Sequence, residues 1–351
     1  MDRKRILVTA VIVIILAALV YWQIHAWRKF DWALFNSSLQ GLNWWGILGA
    51  IALVYVADGL RGFRWALFLK PVKKVSGLGL IPAQYIGFAG LALLGRPGEI
   101  VRPYVISKKT GLTLASQMAI WTVERIFDIC SVTVIVATDL LLSGTLRTFT
   151  QKQYAVMRDL GIALILIAVV LLGFAFVVWK KGTQIADWIQ RKLARRSRHT
   201  AHSVAAKIRI FSSGLHTIHD VGSFMGLAAI SIVIWVLIAC AYYVILQSYT
   251  DPTIYTMTFV YGIILMAFSV AGGVLQLPVV GGGSQLLTIN ALYWLFNTPK
   301  ELATSCGMML WLVTFMSVIP LGLIFSKIEH VSLRKVSAQS HREEREFEAS
   351  L

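Results

Sequence analysis

Between Leu94 and Tyr104 the chain reads LGRPGEIVRPY, and within seven positions of it fall Arg96, Pro97, Gly98, Glu99 and Arg102. A Pro at a first helical position followed by Gly starts a short helix, here running through Tyr104 with Arg96 at its positive end. Guanidinium forks beside such a helix start suit an anionic group such as a phosphate. Glu99 can balance the arginines or meet a cation. Two further clusters have related chemistry. Asp58, Arg61 and Arg64 recur at intervals of three, so they share a helix face and Asp58 can pair with Arg61. Glu124 and Asp128 are four apart on one face, and Arg125 can reach Asp128 at three apart. A fourth stretch, Gln276 to Gln285, has breaks without charges. After Pro278 come Gly281, Gly282, Gly283 and Ser284, whose backbone N–H groups suit another helix start.

These residues sit in a chain built for lipid. Over 351 residues it is 57% hydrophobic and 14% charged, with a mean hydropathy of +0.70, which leaves too little polar material to cover a soluble globule. The net charge of +16 would suggest nucleic acid in a soluble protein. Here the basic residues cluster in short segments between apolar runs, as in loops that stay cytoplasmic, so no nucleic-acid partner is expected. Cys130, Cys240 and Cys306 lie inside apolar segments at no metal-ligand spacing and read as packing residues.

In chain order, Asp2 to Arg5 precede an apolar run from Ile6 to Ile24. It is longer than a signal-peptide core and ends in Tyr21, Trp22 and Gln23, so it reads as a retained first span entering from the cytoplasm. His25 to Trp45 reads as a short amphipathic stretch on the outer face. The next span, Gly46 to Leu69, returns to Lys70, Lys73 and Lys74. At about 1.5 Å per residue Arg64 is roughly 8 Å deep and Asp58 roughly 16 Å, near the middle of a core about 30 Å thick. Arg64 can snorkel to the interface; Asp58 cannot easily do so. An ion pair locking two helices and a ligand site both fit this pattern.

Val75 to Gly95 is glycine-rich, interrupted by Pro82 and Gln84. With LGRPGEIVRPY it is flanked by lysines at both ends, the later ones being Lys108 and Lys109. This predicts a re-entrant hairpin dipping in from the cytoplasm. Thr113 to Leu142 spans again, with Glu124 roughly 15 Å deep and Asp139 near the solvated outer end. An outer loop with Arg147, Lys152 and Arg158 leads to a span over Leu160 to Trp179. In the segment from Lys180 to about Asp220, nine Lys/Arg up to Arg209 stand against the single acid Asp187, marking a cytoplasmic loop. Ile185, Trp188 and Ile189 oppose Lys192, Arg195 and Arg196, so this loop either lies on the anionic inner leaflet or is simply solvated. His199, His202, His216 and His219 fall in it.

Ser223 to Leu246 spans outward, and Gln247 to Tyr255 lacks Lys and Arg. Thr256 to Phe296, broken at Gln276 to Gln285, then reads as a second hairpin entering from the opposite face, and Leu302 to Phe325 as the last span. The expected fold is an all-α polytopic integral membrane protein with about six full spans, plus two oppositely oriented re-entrant broken-helix hairpins. Residues 1–335 form one transmembrane domain, its inverted-repeat units at 46–142 and 223–325 and its basic loop at 180–220. Residues 336–351 form a polar cytoplasmic tail. Two helix starts then aim at one midplane cavity. A closed ion network holding the broken helices together is the competing reading.

The run GRPGEIVRPYVISKKTGLTLASQMAIWTVERIFD resembles the hallmark of the lysylphosphatidylglycerol synthase transmembrane-region family, the membrane part of the multiple peptide resistance factor. The resemblance rests on Gly95, Gly98, Glu99 and Arg102 in a Gly-x-x-Gly-Glu-x-x-Arg stretch, and on Glu124, Arg125 and Asp128 as Glu-Arg-x-x-Asp. Arg64-Trp65 and Pro278 to Gly283 are also similar, and the likeness covers about residues 5 to 327. Where that family usually has a Glu after the second glycine run, this chain has Gln285.

The resemblance implies lipid translocation rather than synthesis, in a bacterial cytoplasmic (inner) membrane with both termini inside. In bifunctional relatives aminoacyl transfer resides in a separate soluble domain; the longest polar segment here, about forty residues after Lys180, is too short for one. The sequence has no Ser/His/Asp set, metal cluster or nucleotide loop, so neither catalysis nor a cofactor is expected. The implied function is flippase-like handling of an anionic or aminoacylated phospholipid or another lipid-linked substrate. The alternative is a non-transporting accessory subunit for a lipid- or glycan-modifying enzyme. A homo-oligomer and a partner lipid-modifying enzyme both remain open. Candidate substrate-binding residues are Asp58, Arg61, Arg64, Arg96, Gly98, Glu99, Arg102, Glu124, Arg125 and Asp128 in the first half. In the second they are Gln276, Gly282, Gly283, Ser284 and Gln285.

Overall fold

Local capping chemistry sets where the helices begin. In the computed structural model, which describes residues 30–142, 150–194, 205, 209, 221–273, 276–277 and 281–331, Asp31 accepts hydrogen bonds from the Ala33 and Leu34 amides and starts α1, Trp32–Gln40. Asn43 does the same for α2, Trp44–Leu69, whose 26 residues rise about 39 Å, enough to cross a bilayer core. After a lysine-rich turn, α3 runs over Gly77–Leu94 and stops at Gly95, which has a φ of 70° that glycine adopts without strain. A 3-10 turn, Arg96–Ile100, leads into α4, Val101–Thr110. The sequence expectation ended this helix at Tyr104; its continuation to Thr110 is closed by Gly111 in the left-handed region.

α5 covers Leu114–Leu142 and α6 covers Gln151–Ala194, broken at Lys181, where φ is −132° and ψ is 21°. Lys152 and Arg158 therefore lie on a helix and not in the expected loop, and that helix continues beyond Trp179. α7 is Val221–Gln247, α8 is the Asp251-capped turn Pro252–Tyr255, and α9 is Phe259–Gly272. The second break forms a two-residue antiparallel ladder, β1 (Gln276–Leu277) with β2 (Gly281–Gly282), before α10, Gly283–Asn290. α11, Lys300–Trp311, and α12, Val318–Ile328, form one span through a π-helical turn at Leu312–Met316. The carbonyl of Ser317, beside that turn, accepts from the Tyr55 hydroxyl at 2.6 Å.

Five described segments are long and apolar enough to cross a membrane: Trp44–Leu69, Gly77–Leu94, Tyr154–Leu171, Gly222–Gln247 and Lys300–Ile328. The chain is an all-α polytopic membrane protein. α5 is missing from that set because of its ionisable residues, yet its 29 residues rise about 43 Å and its carboxylates point into the bundle. The expected first span, most of the basic loop including its four histidines, and the polar tail lie outside the described residues.

α2 and α7 pack antiparallel at the centre. The Asn43 amide donates to the Ser248 carbonyl at 2.8 Å, and at the other end Gly226 faces Leu67. α3 runs back along α2, with Gly77 on Phe63 and the Tyr85 hydroxyl donating to the Tyr55 carbonyl at 2.7 Å. α9 runs back along α7, with Gly262 at Tyr243. Each hairpin arm also packs on the last span of the other unit: α3 on α12, α9 on α5.

The hairpin mouths lie at opposite ends of α2. At its C-terminal end Lys73 Nζ donates to the Thr110 carbonyl at 2.6 Å, drawing the ends of the first hairpin together, and Lys109 pairs with Glu329 after α12. Near its N-terminal end Gln247 Nε2 donates to the carbonyls of Tyr255 and Met257, and Ser305 on α11 bonds Ser38 and Tyr249. This is the oppositely oriented arrangement expected of an inverted repeat.

Candidate functional site

Each hairpin folds back through a glycine crossing. A methyl group added at Gly98 would overlap the Gly90 carbonyl, and one at Gly272 would overlap the Gly283 carbonyl. Both crossings therefore need bare backbone. In the first, Gly87 on α3 also leaves room for the Arg102 side chain on α4.

That placement brings the first-half charges together. Arg64 is 0% exposed and does not snorkel: its Nη2 donates to Glu124 Oε1 at 2.5 Å and its Nη1 to Asp128 Oδ1 at 2.7 Å and to Ser231 Oγ at 2.8 Å. A two-carboxylate partner across the α2–α5 interface satisfies a planar guanidinium better than a stretch to distant water. Arg102 Nη2 donates to Glu124 Oε2 at 2.5 Å and Nη1 to Gln84 Oε1 at 3.1 Å, with the guanidinium over the Trp65 ring at 4.8 Å. Arg61 Nε reaches Asp58 at 3.2 Å and Nη1 reaches Asp128 at 3.5 Å, while Phe88 and Trp235 flank its guanidinium at 5.3 and 5.6 Å. Trp235 Nε1 donates to Asp128 Oδ1 at 2.9 Å. Three arginines and three carboxylates thus form one buried network that carries no net charge.

Arg125 departs from its expected pairing with Asp128. Arg64 and Arg61 occupy that carboxylate, while Arg125 lies over the Trp121 ring at 5.4 Å and its buried Nε has no hydrogen-bond partner among the described residues. Asp139, expected to be solvated, is half-buried, with Oδ2 buried and unpartnered among them.

Beside the network lies a cavity of about 280 Å³. Its charged lining comprises Asp58, Arg61, Arg125 and Glu99, the last from the 3-10 turn at the first hairpin tip. Gly273 and Ser284 reach it from the second tip, and Trp311, Thr314 and Phe315 from around the π-helical turn of the last span. Leu91, Trp235, Ile238 and Met266 make the wall largely apolar.

The fifteen candidate residues therefore divide. Asp58, Arg61, Glu99, Arg125 and Ser284 face the cavity; Arg64, Arg102, Glu124 and Asp128 are consumed by the network. Gly98 and Gly283 form the crossings, and Gln276 and Gly282 pair in the ladder. Gln285 does not line the cavity, and the Arg96 side chain lies outside the described residues. Sequence reasoning missed Gln84, Trp235 and Ser231 as partners of the charges. Gln84 signals itself as a polar residue in an apolar run; Trp235 is indistinguishable from a lipid-facing aromatic. Among the described residues no three His, Cys, Asp or Glu side chains are grouped to hold a metal.

The chain is similar to a UPF0104 membrane protein of Methanothermobacter thermautotrophicus, 22% identical over 338 residues that cover 92% of this chain and 93% of the relative. No solved structure matches. The profile of the lysylphosphatidylglycerol synthase transmembrane region matches residues 6–322, a stretch that holds both hairpins, the charge network and the cavity. The chain accordingly belongs to the lysylphosphatidylglycerol synthase transmembrane-region family.

Proposed function

We propose that this chain carries a phospholipid or another lipid-linked molecule across the bilayer without synthesising it. The observation that carries the reading is the cavity where two oppositely entering hairpin tips meet, lined in part by charged groups that have no ion-pair partner among the described residues. A charged headgroup crossing about 30 Å of hydrocarbon meets a steep desolvation barrier, and a polar cavity midway lowers it. The largely apolar wall leaves the acyl chains in the lipid phase while the headgroup moves. On this reading the lysine-rich face is cytoplasmic, in the inner membrane of a bacterium.

The closed Arg–Glu–Asp network alone would fit a static accessory subunit equally well; Arg125 and Glu99, which have no ion-pair partner among the described residues, favour transport. Reconstitution of the purified chain in liposomes with acyl-labelled fluorescent phospholipids tests the proposal. The expected result is bleaching of inner-leaflet label by an external reductant faster than in protein-free liposomes. Equal rates with every headgroup tried would refute it.

A further inference from the structure

Glu99 and Arg125, both half-buried, stand apart from the fully buried charges of the network. Among the described residues the Glu99 carboxylate has no ion-pair or hydrogen-bond partner, and Arg125 has none within ion-pair distance: it lies over the Trp121 ring and acts on Glu124 and Asp128 only through the longer-range field. Both line the same cavity, one from the first hairpin tip and one from α5. The remaining charges, Asp58, Arg61, Arg64, Arg102, Glu124 and Asp128, neutralise one another within hydrogen-bonding distance. Among the described residues, what the cavity offers a ligand is therefore one cation and one anion without an ion-pair partner, at no net charge.

We infer that the site selects a zwitterionic phospholipid headgroup, with one phosphate to meet Arg125 and one ammonium to meet Glu99. This rests on the translocation reading above and names the substrate class of the same site. A glycerol phosphate headgroup would satisfy Arg125 but leave Glu99 without a partner among the described residues and bring a net negative charge into the cavity. A headgroup with two ammonium groups and one phosphate would leave a positive charge unmatched. In a low-dielectric site each mismatch is costly, because a charge leaves water without compensation. The size agrees as well: about 280 Å³ lies just below the range of about 300–1,000 Å³ for small-molecule pockets, enough for a polar headgroup and too little for acyl chains. The aromatic and aliphatic wall then faces the glycerol end of the lipid.

The test uses the full chain in vesicles of equal phosphatidylethanolamine and phosphatidylglycerol, with trace acyl-labelled ethanolamine, choline or glycerol phospholipid. The wild-type chain should move or retain the ethanolamine or choline lipid about tenfold or more over the glycerol lipid. Glu99→Gln should bring that ratio toward one, and Arg125→Gln should lower transport of all three. A parallel arm measures lipid retention in detergent by native mass spectrometry. It needs no variant for the wild-type preference, and a melting curve checks that Glu99→Gln remains folded. Flux without headgroup preference, or a preference unchanged in Glu99→Gln, overturns this inference and leaves translocation standing. Retention preference without flux overturns translocation and leaves the site.

Discussion

The two hairpin tips solve the same backbone problem with different side chains. Both cross at a glycine pressed on a carbonyl, Gly98 on Gly90 and Gly272 on Gly283, and both reach one cavity. The first tip is surrounded by arginines and carboxylates; the second contributes Ser284 and a glycine, and the span behind it contributes Thr314. The crossing geometry therefore does not itself require charge. The charges of the first half do two separate jobs: most are spent in a closed network joining α2, α4 and α5, and two are left for the cavity.

That division can be broken experimentally. The largest effect should come from Glu124→Ala, which leaves the buried Arg102 without a carboxylate and takes one of the two from Arg64. A loss of about 3–5 kcal/mol is expected, read as a fall in folded fraction or melting temperature in detergent. A variant as stable as wild type would show that the network is not what holds the helices. Next, Gly98→Ala and Gly272→Ala should each destabilise by about 1–3 kcal/mol, and by similar amounts, because the crossing is shared. A large effect at one and none at the other would contradict the common device. Glu99→Gln should leave the melting temperature unchanged or raise it, since it removes an unpartnered charge, while changing lipid selectivity. The smallest effect belongs to Gln285→Ala, within about 0.5 kcal/mol of wild type and with near-normal transport, because the side chain does not line the cavity.

Much of the architecture was legible in the sequence because membrane physics is restrictive. Lysines at Lys73 and Lys109 fix both ends of the first hairpin to one face, and the Lys73–Thr110 bond closes that mouth. The spacing of Asp58 and Arg61 also specified their pair, because three residues on a helix place two side chains in reach. Spacing misled at Arg125 and Asp128. Local reach is necessary but not sufficient, and the fork of Arg64 arriving from another helix binds Asp128 and Glu124 together. The same competition explains Arg102, expected at an anion and found on Glu124 and Gln84. No pattern along one helix encodes which distant arginine reaches a carboxylate first. Which charges remain unpartnered is likewise a property of the packed bundle, so Glu99 and Arg125 could be singled out only in three dimensions.

Translocation as proposed requires the cavity between the hairpin tips to receive a lipid headgroup. An experimental structure of the chain in nanodiscs of phosphatidylethanolamine tests this most directly. It should show headgroup density between Glu99 and Arg125, with the acyl chains leading out past the apolar wall. A cavity without lipid, with Glu99 and Arg125 closed on each other and lipids confined to the outer helix faces, would contradict it.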